Sequence, residues 1–333
     1  MRCSTQPLFV VAILAFLACE VRAQDPISPA PTPELSVDDR LEQARAQYRA
    51  EVASAEEKLL AAWQAMRDGA QQAGSREKVV ALDAQRREFE ATGIVPKGLP
   101  HLPYYSAVGR AERELEDALR AAEVEFTRAD RIDEATKAAE EAVRLKSWRA
   151  AAGRERRYLG EQLLRNPGAE VAPTRAEEIP DWTVVKGKWL RIAAKGKGNP
   201  GPFADEWYFS PGAVQEAELK QEVDVSCFAR ASDAGKLKLE VTGYLSGYAK
   251  QEDTARLIVE CLGEGRQVTS VAFDSGAVKG VGWVEKSHEA GLPEGTRYLR
   301  VRLVSSRVRT GKKQENNNGY YDHLSLRVVA AQP

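Results

Sequence analysis

The spacing of apolar residues changes near residue 158, and that change limits what the chain can fold into. Before it, apolar positions recur every seven residues: Leu41, Tyr48, Ala55, Ala62 and Gly69 form one row. Val52, Leu59, Met66 and Ala73 form a second row, four residues behind the first. Two such rows make a seam that another helix must cover, as in a coiled coil. "AGS" at positions 73–75 stops this helix. A second helix over 76–91 carries Val79, Leu82, Gln85 and Phe89 on one face. "TGIVPKGLPHLPYY" then excludes a continuous rod, because its prolines and glycines break a helix.

The helical spacing returns with Val108, Leu115, Ala122 and Ala129, joined by Leu119 and Phe126. After a break at 129–130, a last helix carries Ala135, Ala138, Ala142 and Leu145. The two halves match at a shift of 56 residues, taking Leu59 to Leu115, Ala73 to Ala129, Val79 to Ala135 and Phe89 to Leu145. The reading is two stacked helical hairpins over 36–157. Their mixed charges read as a solvated face.

From 158 to 333 alternation replaces the heptad. "KLKLEVTGYL" puts Leu237, Leu239 and Val241 inward, and "RYLRVRLV" does the same with Leu299, Val301 and Leu303. "ELKQEVDV", "RLIVECLG", "RQVTSVAF" and "DHLSLRVV" are further strands. Eight to ten short strands with turns between them predict an antiparallel sandwich. The fold class is therefore all-α helical hairpins followed by an all-β sandwich. In the closing strand, unbroken alternation places Leu324, Leu326 and Val328 inward, His323 outward, and Asp322 inward with the leucines.

The N-terminus reads as an export signal. Arg2 precedes the apolar run "PLFVVAILAFLAC", which is too short to span a bilayer, and Val21 and Ala23 suit a cleavage site. Residues 1–23 would be removed, giving a secreted or periplasmic protein with no transmembrane helix in the mature chain. A lipoprotein anchored at Cys19 is the alternative. Residues 24–35, rich in proline, form an extended linker. Cys227 and Cys261 remain after cleavage. Export permits a disulfide between them, and two buried free thiols are the other reading. The charge balance, 48 basic against 49 acidic residues, gives no global field for nucleic acid.

No catalytic signature stands out. The three histidines, His101, His288 and His323, form no catalytic or metal-binding motif. Nucleophile-elbow, phosphate-loop and H-E-x-x-H motifs are missing from the sequence, and no G-x-G-x-x-G leads from a strand into a helix. A hydrolase would need two carboxylates converging in a cleft, as glycosidases do. Binding fits the composition better, since flat aromatic faces stack on sugar rings. Trp182, Trp189 and Trp283 read as core. Trp207, Tyr208, Tyr244, Tyr248, Tyr320 and Tyr321 lie in or near turn-like segments and are the ligand candidates. The polar loop "SSRVRTGKKQENNNG" reads as solvated, with basic residues that could meet an acidic glycan.

Four stretches in order carry a resemblance: "LLRNPGAEVAPTRAEEIPDWTVVKG", "AELKQEVDVS", "GTRYLRVRLV" and "GYYDHLSLRV". Over residues 163–329 the chain resembles galactose-binding-like jelly-roll domains. It is similar to the carbohydrate-binding modules attached to bacterial glycoside hydrolases and to the F-box-associated glycan-binding domain. The resemblance implies carbohydrate as the partner. It also implies one structural calcium where the first and last strands meet, with Glu170 and Asp322 as ligands; the other reading is that Asp322 caps the turn and accepts backbone N–H bonds. His323 stands where that class often has a second Asp or Asn, which removes one ligand. The expectation is an exported, non-catalytic carbohydrate-binding protein whose helical region acts as a stalk, or as an assembly module through self-association or a protein partner. A structural protein of the cell envelope that binds no sugar is the alternative.

Overall fold

The computed structural model describes residues 35–175, 178–308 and 316–331. The expected signal peptide, Cys19, residues 24–34 of the linker and the basic residues at 309–313 lie outside the described residues. Among the described residues, no helix is long and apolar enough to cross a membrane.

Four helices open the described chain: α1 (Val37–Gln72), α2 (Arg76–Thr92), α3 (Leu102–Arg128) and α4 (Ile132–Ala151). They form two hairpins, α1 with α2 and α3 with α4, and α1 also packs on α3. The first turn uses Gly74 at φ 68°, a left-handed position that glycine takes without a Cβ clash. At the matched positions Leu59 and Leu115 are both buried, as are Phe89 and Leu145, Ala73 and Ala129 are both exposed, and Val79 is half-buried where Ala135 is buried.

The strict heptad does not hold along α1. Ala62 and Gly69 are exposed, and the buried stripe runs through Leu41, Ala55, Leu59, Trp63 and Ala70. A helix with 3.6 residues per turn drifts about 20° per heptad. Over 36 residues that drift moves the buried face off the seven-residue row. The hairpins are therefore packed helices, with no sustained heptad seam along α1.

Among the described residues, the sandwich has ten strands in two antiparallel sheets. The first sheet is ordered β1 (Thr183–Lys186), β6 (Glu216–Asp224), β11 (Tyr298–Ser306), β8 (Thr254–Leu262), β9 (Val268–Asp274). The second is ordered β10 (Val284–Gly291), β7 (Leu237–Ser246), β12 (Tyr320–Ala330), β5 (Tyr208–Pro211), β2 (Trp189–Ile192). A small hairpin, β3 (Lys195–Gly196) with β4 (Asn199–Pro200), lies between β2 and β5. The inward rows of β7, β8, β11 and β12 are buried and fill the core, as alternation requires. Tyr321 spans that core: its hydroxyl donates to the Val304 carbonyl at 2.5 Å and accepts the Arg256 N–H at 3.0 Å.

One residue inserted in β12 changes its parity. Asp322 pairs with Tyr244 and Ser325 with Thr242, so two residues of β12 stand opposite Gly243 alone. This is a β-bulge, with His323 at φ 46°. Tyr321 and Leu324 consequently both face the core. Asp322 faces outward with Tyr244, which corrects the inward placement that unbroken alternation implies. Gly243 makes room for the packing below the bulge, since a Cβ there would lie 2.8 Å from Leu324 Cδ2.

Helices and sandwich belong to one compact unit. Ile94 and Ala151 from the helical region enter the sandwich core beside Cys227, Phe228 and Ala231. Residues 160–167 then run along β12. Gly160 N–H bonds Val328 O at 2.8 Å, Leu163 N–H bonds Leu326 O at 2.9 Å, and Leu324 N–H bonds Pro167 O at 3.1 Å.

Two ionic contacts lie where the halves meet. Arg230, on the short helix α5 (Ala229–Asp233), donates to Glu112 of α3 and lies over the Trp148 ring of α4. Asp233 accepts both terminal nitrogens of Arg297, at 3.0 and 2.8 Å, and the Trp148 indole N–H at 3.1 Å. Burial by itself raises the Asp233 carboxyl. Arg297, the Gly295 amide and Trp148 outweigh it and hold the group below the usual carboxylate range.

Cys227 and Cys261 are both free and buried. Of the two readings left open by the sequence, the structure contains the thiols and no bridge. Cys227 follows β6 and lines the junction with Ala151 and Glu155. Cys261 lies within β8, beside Ser270 and Thr296. Burial raises both thiols, that of Cys227 to about 12, so neither is a reactive thiolate at neutral pH.

Two outcomes follow from this packing. Asp233→Asn should destabilise the whole chain by about 3–5 kcal/mol in urea unfolding, because it leaves a buried guanidinium without its partner. The folded pKa of Asp233 lies below its ordinary 3.8. The contribution is therefore present above that pH and is lost as the pH falls through the folded value. The substitution should flatten the acid limb of the stability curve and leave the neutral-to-alkaline limb parallel. Separately, a maleimide should leave Cys227 and Cys261 unmodified in the native protein and modify both after denaturation without reductant. Peptide mapping by mass spectrometry reads each site.

Candidate functional site

The outer face of the second sheet carries the chemistry. Along β7 the outward residues are Lys238, Glu240, Thr242, Tyr244 and Ser246, between the buried Leu237, Leu239, Val241 and Leu245. Glu285, Ser287 and Glu289 of β10 pair with Tyr244, Thr242 and Glu240 on one side. Ser325 and Arg327 of β12 pair with Thr242 and Glu240 on the other.

An aromatic cluster occupies one end of this face. Phe203 stacks on Tyr244 with ring centres 3.6 Å apart and planes 15° from parallel. Trp283 meets Phe203 edge-on at 6.4 Å and holds Gly201 O through its indole N–H at 2.9 Å. The His323 ring lies 5.9 Å from both Phe203 and Tyr244. Phe203 is 43% exposed, His323 is exposed, and Tyr244 and Trp283 are half-buried. Burial, together with the Glu285 carboxylate beside it, raises the Tyr244 hydroxyl.

Beyond the cluster, Glu240, Val241, Thr242, Ser287, His288 and Glu289 line a shallow groove of about 460 Å³. A strand rises about 3.3 Å per residue. The hydroxyl row at Thr242 and the carboxylate row at Glu240 therefore lie about 7 and 13 Å from Tyr244 along β7. A ring platform followed by hydroxyl and carboxylate rows suits a flat ligand rich in hydroxyl groups.

Of the six aromatic candidates from the sequence, Tyr244 joins this cluster, and Tyr208 meets its Trp283 edge-on at 5.6 Å from a fully buried position. Tyr208 and Tyr320 also face outward but lie under the β3–β4 hairpin and are buried. Tyr208 donates to Ala194 O at 2.8 Å, and burial pushes its hydroxyl up to about 12. Tyr320 donates to Asn318 Oδ1 at 2.8 Å and Asn199 Oδ1 at 3.2 Å. Tyr321 is in the core. Tyr248 donates to Lys197 O and packs on Gly198, where a Cβ would lie 2.7 Å from its ring. Trp207 is covered by the Arg191 guanidinium, 4.0 Å from the ring centre. Tyr208, Tyr320, Tyr248 and Trp207 hold the segments around the face, while Tyr321 links the two sheets. Trp182 and Trp189 are buried as expected, but Trp283 is half-exposed. Phe203 and His323 were not among the aromatic candidates. The signal for Phe203 was an aromatic residue in the turn-forming run "GNPGPFADE".

Glu170 and Asp322 do converge. Asp322 Oδ2 accepts the amides of Phe203 at 2.7 Å and Ala204 at 3.2 Å, and its Oδ1 accepts His323 N–H at 2.7 Å. Glu170 Oε1 accepts the amides of Trp207 at 2.8 Å and Glu206 at 3.2 Å. Burial pushes the Asp322 carboxyl up to about 6; the three amides oppose that rise and the charge of Glu170 adds to it. Both carboxylates approach Gly168, where a Cβ would stand 3.2 Å from Asp322 Oδ1 and 3.9 Å from Glu170 Oε1. Hard oxygen donors around such an opening fit calcium chemically. Among the described residues, no group of three or more His, Cys, Asp or Glu side chains forms a metal cluster. Carbonyls and water would have to complete a calcium shell.

No protein-family model matches the chain, and no curated protein matches it. Several solved structures are similar. The CBM22-1 xylan-binding domain of Paenibacillus barcinonensis Xyn10C is 13% identical, with a TM-score of 0.33, over 50% of this chain and 93% of that one. A family 16 carbohydrate-binding module is 14% identical, with a TM-score of 0.33, over 49% of this chain and 98% of that one. The enzymatically active domain of tailspike protein 4 from bacteriophage CBA120 is 12% identical, with a TM-score of 0.33, over 50% of this chain. The chain spans 21% of that tailspike chain.

Proposed function

We propose that the sandwich binds carbohydrate on the outer face of the β10–β7–β12 sheet, with Phe203, Tyr244, Trp283 and His323 as the platform. The exposed Phe203–Tyr244 stack opening onto a hydroxyl-lined groove is the observation that carries this reading. An exposed aromatic set rimmed by polar groups marks an interaction surface. Sugar C–H faces pack on the rings, while Thr242, Ser287, Ser325 and the carboxylates of Glu240 and Glu285 bond hydroxyls. The chain acts without catalysis and is exported through residues 1–23. Its helical region serves as a stalk or assembly module fixed to the sandwich through the Asp233 and Arg230 contacts.

The same reading gives Glu170 and Asp322 a calcium ion. The ion would supply positive charge between two close carboxylates. The residues of this chain would hold it through oxygen donors beside Gly168.

Affinity electrophoresis and pull-down of the full chain against a panel of polysaccharides tests the first proposal. Retention by at least one polymer is expected. Tyr244→Ala or Trp283→Ala should weaken it by about tenfold or more, as loss of an aromatic anchor does. Tyr321→Phe should leave retention unchanged and cost roughly 1–2 kcal/mol of stability through the lost inter-sheet hydrogen bonds. No retention on any polymer would instead favour a protein-contact role for this face.

Calcium should raise the melting temperature of the chelator-treated protein, and Glu170→Gln should abolish that rise. An unchanged melting temperature on titration removes calcium from the proposal.

A further inference from the structure

Phe203 is an exposed ring of the platform, yet it lies outside any strand. Residues 201–207 connect β4 to β5 without joining a sheet. Four of their amides end on two carboxylates: those of Phe203 and Ala204 on Asp322, and those of Glu206 and Trp207 on Glu170. Between the two pairs, Asp205 takes φ 57°, and the turn there directs one pair to each carboxylate. Hydrogen bonds to an ionised acceptor are shorter and stronger than neutral ones.

Asp322 does more than hold the loop. Its Oδ2 bonds the backbone of Phe203, and its Oδ1 bonds the backbone of His323. The rings of those two residues stand 5.9 Å apart across the platform. One fully buried carboxylate thus ties two sides of the exposed cluster while touching neither ring. Glu170 anchors the far end of the same segment. Arg191 secures it there by bonding Glu170 O at 2.8 Å and covering Trp207.

We propose that Glu170 and Asp322 are positioning residues for ligand binding, whose carboxylates hold the amides of residues 203–207 and so fix Phe203 against Tyr244. This rests on the reading of that face as the carbohydrate site. A ring already held in its binding position loses little freedom when ligand arrives, and affinity gains accordingly.

The test is a double-mutant cycle in chelating buffer, so that any effect belongs to the amides and not to a cation. Asp322→Asn, Glu170→Gln, Phe203→Ala and the two doubles with Phe203→Ala are compared in the full chain. Two readouts are taken: affinity for the polysaccharide retained by the wild type, and the aromatic NMR signals shifted by the Phe203–Tyr244 stack. Each carboxylate substitution should weaken binding by about fivefold or more and collapse the ring-current shift of Tyr244. In the Phe203→Ala background it should change binding by less than about twofold. Additive effects, or a ring-current shift that survives both substitutions, would overturn the proposal. Should Asp322→Asn fail to fold, Glu170→Gln, at a half-exposed position, carries the cycle alone. If the wild type binds no polysaccharide, the carbohydrate reading fails, and the Tyr244 signals alone decide whether the carboxylates position Phe203.

Discussion

The β-bulge opposite Gly243 governs both faces of the second sheet. Without the extra residue, Tyr321 and Leu324 could not both point into the core. Tyr321 would leave the hydrogen bonds that link β12 to the opposite sheet. Asp322 would enter an apolar interior, where an unpaired carboxylate is costly. With the insertion, Asp322 stands on the outer side, and the 201–207 segment supplies the amides that its burial demands. The bulge sits beside the candidate site, where such features recur because they re-aim a side chain. Loop, platform and carboxylate pair all depend on that register.

A second constraint comes from the junction of helices and sandwich. Its ionic groups are largely withdrawn from water: on the helical side Glu112 is 2% exposed, and on the sandwich side the Arg297 and Asp233 side chains are 8% and 3% exposed. Pairs of this kind add little net stability, because desolvation offsets much of their attraction. They are nevertheless severe about geometry, since a misdocked arrangement leaves an uncompensated charge. Apolar contacts through Ile94, Ala151, Phe228 and Ala231 supply the burial, and the polar contacts define one arrangement. The helical region and the sandwich thus share one packed core through these contacts.

Much of this was legible in the sequence, because periodicity reports local geometry. The four helices, their turns and the inward rows of β7, β11 and β12 follow from apolar spacing alone. The stripe along α1 was misread where a seven-residue rule met a helix of 3.6 residues per turn. The outward position of Asp322 was hidden because a bulge leaves no mark in an otherwise alternating strand. Tyr208 and Tyr320 looked accessible from their turn-rich neighbourhoods. They are covered by a hairpin more than a hundred residues away from Tyr320 in the chain, and no local pattern carries that information. Phe203 was overlooked for the converse reason, since a ring beside prolines resembles any loop residue until the sheet beneath it is known. Glu170 and Asp322 were linked through the resemblance of short motifs, and turn amides were one reading of Asp322; that those amides belong to residues 203 and 204, more than a hundred positions earlier, is carried by no local pattern.

The two outer faces of the sandwich differ in what a ligand would have to displace. On the first sheet, Arg302 bridges Glu218 and Glu260, Arg300 bridges Glu222 and Glu260, and Arg266 reaches Glu222. Each charge in that lattice already has a partner, and the pairs are partly withdrawn from water. A sugar arriving there would exchange ionic hydrogen bonds for neutral ones and would find little flat apolar surface. The second sheet offers rings at one end and neutral hydroxyls in the middle, with its carboxylates spaced along the groove. Stacking there buries ring faces that water solvates poorly, and the hydroxyls can exchange water for sugar without breaking an ion pair. The asymmetry follows from which residues occupy the outward positions of β7 and β11. On the reading proposed above, a neutral, hydroxyl-rich ligand would take the β10–β7–β12 face, where it would displace water and leave the ionic lattice of the other sheet intact.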